Sequence, residues 1–129
     1  MRAEGGPPPC VLVVEDEPRA RDVLAHDLRA MGLQALTAAS AAGAVEACRL
    51  GAGRLALALV DLNAPALAGL AALDALRGLA PPVPVLLVAG AAELRCAGEG
   101  PLAGAAGVLA KPVRLRELRQ AVRALLPGP

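Results

Sequence analysis

The sequence contains no phenylalanine, tyrosine or tryptophan. Its core must be built from Leu, Val and Ala, and gains less burial per residue, because aromatic side chains bury the most area each. Modest stability and some mobility are expected, and intrinsic fluorescence is lost as a binding probe. Hydroxyl side chains are nearly as scarce, with only Thr37 and Ser40. The three cysteines, Cys10, Cys48 and Cys96, are widely spaced and form no CxxC pair. That argues against a zinc site and reads as reduced thiols in a cytoplasmic protein. A net charge of +1 with interspersed signs points to neither a nucleic-acid nor a membrane surface. Apolar runs such as Leu55 to Val60 are too short to span a bilayer, and the N-terminus has no signal-peptide pattern. Lysine occurs once, at Lys111, among twelve arginines. A compact ammonium suits phosphate as a point charge.

At 129 residues the chain fits one domain. Residues Met1 to Pro9 read as a disordered tail, residues 10–126 as the domain, and residues 127–129 as a second tail. Short apolar runs alternate with helical patterns between them. Strands are expected at Cys10–Val14, Gln34–Ala38, Ala56–Val60, Val85–Val88 and Val108–Ala110. Pro18 opens a first helix, whose apolar positions Ala20, Val23, Leu24, Leu28 and Met31 keep helical spacing until Gly32. Ser40 is a candidate N-cap for a helix through Leu50. Further helices are expected over 67–79, weakly over 91–97, and over Val113–Leu126, with Leu115, Leu118, Val122 and Leu125 on one face. The alternation predicts a doubly wound α/β fold: a five-stranded parallel sheet, order 2-1-3-4-5, with helices on both faces.

In that order the first and third strands are neighbours at the switch point, where ligands bind. Their carboxyl ends carry Glu15-Asp16 and Asp61, and the fifth strand ends in Lys111. Three close carboxylates repel and raise one another's pKa, which a divalent cation relieves. An all-oxygen set with room for water suits Mg²⁺. Asp61, alone at its strand end, is the candidate nucleophile for phosphoryl transfer, with Lys111 neutralising a phosphate oxygen.

Val13-Val14-Glu15-Asp16-Glu17-Pro18 resembles the acidic pocket of response-regulator receiver domains, which share the flavodoxin-like order. Asp61-Leu62-Asn63-Ala64-Pro65, with Gly69 beyond, resembles their phosphoacceptor loop, and Gly104-Ala105 through Lys111-Pro112 their last motif. The resemblance covers Cys10 to Leu126. It implies a signalling domain, not an enzyme, phosphorylated on Asp61 by a sensor histidine kinase or phosphotransfer protein; from the chain length a stand-alone receiver is expected. It also implies Mg²⁺ held by Asp16, Asp61 and the backbone carbonyl of Asn63, with Glu15 acting directly or through water. A cis Lys111-Pro112 peptide is implied too. Output would run by docking to a downstream protein, and a weak homodimer through the last helix stays open.

Two positions depart from the family pattern. Ala89 stands where a Thr or Ser would bond the phosphoryl group, and Val108 where a coupled aromatic would move. The hydroxyl-and-aromatic switch is therefore degenerate, and signalling through ordering of the Gly90 to Gly107 segment is the expected substitute. A pseudo-receiver, binding partners without control by phosphorylation, is the alternative. A Mg²⁺-dependent phosphatase is a third reading, weakened because Asn63 stands where that class needs a general-acid Asp. Asn63 reads equally as a turn former or as a residue positioning water. His26 lies among charged positions and reads as solvated. Arg114, Arg116, Arg119 and Arg123 read as a solvated face before a docking surface.

Overall fold

Each expected apolar run forms a strand: β1 (Cys10–Val14), β2 (Gln34–Ala38), β3 (Leu55–Asp61), β4 (Val85–Ala89) and β5 (Gly107–Ala110). The helices between and after them are α1 (Pro18–Ala30), α2 (Ala41–Leu50) and α3 (Leu115–Leu125). The computed structural model describes residues 7–50, 55–62, 83–91 and 105–126, with single positions 74, 76 and 78. The helices expected over 67–79 and 91–97 lie largely outside these, although Asp74, Leu76 and Ala91 are helical.

The strands pair in parallel in the order β2-β1-β3-β4-β5. Every residue of β1 and β4 is buried, as strands covered on both faces must be. Side chains alternate with a period of two between the two core layers. Val11, Val13, Leu57, Leu59, Leu86 and Val88 pack with Ala25 and Leu28 of α1 and with Leu118 and Val122 of α3. Leu12, Val14, Ala58, Val60 and Leu87 pack on the other side with Ala44 and Cys48 of α2 and with Leu76. Burying a Leu or Val side chain is worth about 1.5–3 kcal/mol, so these two aliphatic layers carry the fold without aromatic help.

Local signals set the element ends. Glu17 precedes Pro18 and caps α1, its carboxylate accepting from the Arg19 and Ala20 amides at 3.1 and 2.7 Å. Gly32, at φ +87°, turns the chain out of α1 in a conformation that costs a glycine least. Ser40 starts α2 as expected, with Oγ accepting from the Gly43 amide at 3.0 Å.

Some details differ from expectation. Val23 belongs to the apolar spacing of α1 yet is 57% exposed, because Ala25 and Leu28 turn toward the sheet instead. Leu115 is likewise exposed, at the first turn of a helix that begins two residues later than expected. Strands β3, β4 and β5 each run slightly longer than the apolar run alone indicated. Pro9, assigned to the tail, already accepts a hydrogen bond from the Gln34 amide at 2.9 Å. Cys10 and Cys48 are buried free thiols, and burial pushes the Cys48 thiol up; Cys96 lies outside the described residues. No described helix is long and apolar enough to cross a membrane.

Candidate functional site

Parallel register decides which strand ends meet. Val14 pairs with Val60, so Glu15 and Asp61 are neighbours one residue beyond. Asp61 pairs with Val88, and Ala89 with Ala110. The ladder continues past these ends: the Glu15 amide donates to Ala38 O at 3.0 Å, Leu62 to Val88 O at 2.8 Å, and Lys111 to Ala89 O at 2.9 Å. The backbone at Glu15, Asp61 and Lys111 is therefore fixed by the sheet rather than by a free loop.

Lys111 stands two strands away from Asp61, a gap of about 10 Å. Its long stem crosses β4 and places Nζ 2.8 Å from Asp61 Oδ1. The Asp61 side chain is 6% exposed and that of Lys111 is 27% exposed, so the pair sits at the floor of an opening. Partly shielded from water, the two charges attract each other more than an exposed pair would, against the cost of desolvating them.

Glu15 is the one buried charged residue among those described, at 2% exposure. Its Oε2 accepts from the Glu17 amide at 3.1 Å, and its carbonyl from Arg21 Nη1 at 3.2 Å. Its Oε1 is buried with no hydrogen-bond partner. Its pKa is pushed up to about 8, first by desolvation and next by the hydrogen-bonding carboxyl of Asp61; the Glu17 amide pulls the other way, and Asp16 adds least. The upward shift favours the protonated form of this carboxyl. The buried acid thus has two routes to relief: that proton, or a cation.

Asp16 is exposed. Asn63 lies outside the described residues, so its carbonyl stays an expectation. Among the described residues, no three His, Cys, Asp or Glu side chains group closely enough to hold a metal ion unaided. A buried partnerless carboxylate oxygen beside a second carboxylate nevertheless fits a small hard cation that completes its shell with carbonyl, phosphate and water. Ala89 is fully buried, and Val108 is 41% exposed on β5. Neither offers phosphate a hydrogen bond. The Lys111-Pro112 peptide is cis. His26 is exposed, as expected.

Above the pair opens a cleft of about 660 Å³, walled by Arg19, Ala20 and Val23 of α1 on one side and by Pro112 and Val113 on the other. Three contributors escaped the sequence reading. Glu17 could have been found as a cap, since it precedes a helix-opening proline. Val23 and Arg21 gave no signal of their roles.

The family described as response regulator receiver domain matches residues 11–123. The chain belongs to this family. A relative, the probable transcriptional regulatory protein TcrX of Mycobacterium tuberculosis, is 36% identical over 98% of this chain and 53% of its own length. The response regulator receiver protein Anae109_2439 of Anaeromyxobacter is 40% identical over 87% of this chain and 43% of its own. The chain thus spans about half the length of the curated relatives it matches. Among solved structures, Vibrio cholerae chemotaxis protein CheY4 is similar at a TM-score of 0.79 and 26% identity, covering 92% of this chain and 99% of that one. Thermotoga maritima TrrA, solved with Mg²⁺ and BeF, shares the fold at a TM-score of 0.77 and 24% identity, covering 92% and 99%. The receiver fold and its strand order are therefore those expected from the sequence.

Proposed function

We propose that this receiver accepts a phosphoryl group on Asp61 in Mg²⁺-dependent phosphorelay signalling. The observation that carries the reading is the Lys111–Asp61 pair at 2.8 Å beside a buried Glu15 whose Oε1 has no partner. Glu15, Asp16, Asp61 and the Asn63 carbonyl would hold the cation. When bound, it supplies charge neutralisation for the transferring phosphoryl oxygens. Asp61 attacks the phosphorus of a phosphohistidine on a sensor kinase or phosphotransfer protein; a P–O bond forms as the P–N bond breaks, and the imidazole leaves. Lys111 then moves its ammonium from the carboxylate to a phosphoryl oxygen, following the charge. The fold supplies positioning and electrostatics, which is most of what phosphoryl transfer requires.

Signalling takes place in the cytoplasm and reaches a downstream protein by docking. The transcriptional roles named for the relatives belong to proteins about twice as long. Ala89 and Val108 favour a second reading, a binding module whose output ignores phosphorylation.

Intact mass after incubation with acetyl phosphate and Mg²⁺ tests the first reading. A gain of one phosphoryl group, lost on chelation and in Asp61→Asn, is the expected result. No gain in folded protein would favour the second reading.

A further inference from the structure

The first turn of α1 carries charge of the wrong sign. A helix N-terminus favours acids, yet this one has none in its first turn, and Arg19 and Arg21 stand there instead. Arg19 is exposed. Arg21 is half-buried, and its Nη1 reaches back six residues to the Glu15 carbonyl at 3.2 Å. One further bond in this turn ends on the same residue. The Glu17 amide holds Glu15 Oε2 at 3.1 Å, while the Glu17 carboxylate is occupied in capping α1. One oxygen and the carbonyl of Glu15 are thereby held, and Oε1 is left without a partner.

We propose that Arg21 is a positioning residue for the cation site: it clamps the Glu15 main chain so that Oε1 is presented to a divalent cation shared with Asp61. The inference rests on the acceptor reading above. It differs from mere proximity in the sign of its effect. A guanidinium close to the site repels a cation, so by charge alone its removal would tighten Mg²⁺ binding. As a clamp, its removal loosens the site and weakens binding, as loss of a supporting shell does.

The test is a Mg²⁺ titration followed by amide chemical shifts in wild type, Arg21→Met and Arg21→Lys. Methionine keeps an unbranched apolar stem without the donor, and lysine restores one. Affinity should fall about tenfold in Arg21→Met and recover most of the loss in Arg21→Lys. Exchange of the Glu17 amide should quicken in Arg21→Met alone. Arg21→Gln, which keeps a donor without charge, covers a methionine variant that does not fold; its affinity should also fall, by less. Equal or tighter binding in Arg21→Met or Arg21→Gln, beside a wild type that binds Mg²⁺, would overturn the clamp and leave the acceptor reading standing. A wild type that shows no Mg²⁺ shifts would overturn both.

Discussion

Mg²⁺ binding to this receiver should be governed by one proton on Glu15. Burial and the facing Asp61 push that carboxyl up to about 8. The proton is then favoured at neutral pH, whereas the cation needs the carboxylate. Apparent affinity should therefore climb about tenfold per pH unit below 8 and level off above it. By the same reasoning, Mg²⁺ binding near neutral pH should release a proton, and less of one as pH rises through about 8. Stability carries the matching sign. The folded-state pKa lies above the ordinary 4.5, so the proton's contribution is complete below 4.5 and is lost as pH rises through about 8. Mg²⁺ should restore stability on the alkaline side. Calorimetric titration in buffers of differing ionisation enthalpy counts the released protons directly. Glu15→Gln, which carries no titrating group, should abolish the pH slope. A wild-type affinity that ignores pH, with no proton released, would refute the reasoning: Glu15 would then be ionised already or remote from the cation.

Three further outcomes follow from the packing and the switch positions. Glu17→Ala removes both cap bonds of α1 and should cost about 1 kcal/mol in urea unfolding followed by circular dichroism. Leu28→Ala opens a void between α1 and the sheet and should cost about 2–5 kcal/mol in the same assay, a loss a core without aromatics is poorly placed to absorb. Ala89→Ser puts a hydroxyl at a fully buried strand end; it should lower stability by about 1–3 kcal/mol without ligand, and beryllofluoride with Mg²⁺ should recover part of that. Equal losses with and without the mimic would show that the hydroxyl does not reach the phosphoryl position.

Much of this fold was legible because its strands are continuous apolar runs. Cys10 to Val14 and Val85 to Val88 are buried on both faces, so no alternation was needed to find them. Once five strands alternated with helices, the order that brings Glu15, Asp61 and Lys111 to one edge followed from the doubly wound pattern. Residue type and position alone did not separate Glu15 from Asp16, and the family resemblance made Asp16 the direct ligand, with Glu15 acting directly or through water. The structure does separate them, since Glu15 extends the β1 ladder through its bond to Ala38 and turns inward, whereas Asp16 is exposed. Val23 was misplaced for a related reason: helical spacing defines a stripe but not how the helix is rolled against the sheet, and the roll leaves Val23 over the cleft. The Arg21 clamp depends on a turn bringing a side chain back onto a carbonyl, which no spacing rule encodes. The Asn63 carbonyl and the signalling role expected for the Gly90 to Gly107 segment fall on residues that are largely outside those described.

Reductive trapping is the most direct test of the central claim. Borohydride reduces an acyl phosphate in place, and peptide mapping then locates the acceptor carboxyl. After treatment with acetyl phosphate and Mg²⁺, the account predicts trapping at Asp61 alone, abolished in Lys111→Ala or by chelation. Trapping at Glu15 or Asp16, or none in protein shown to be folded, would contradict it.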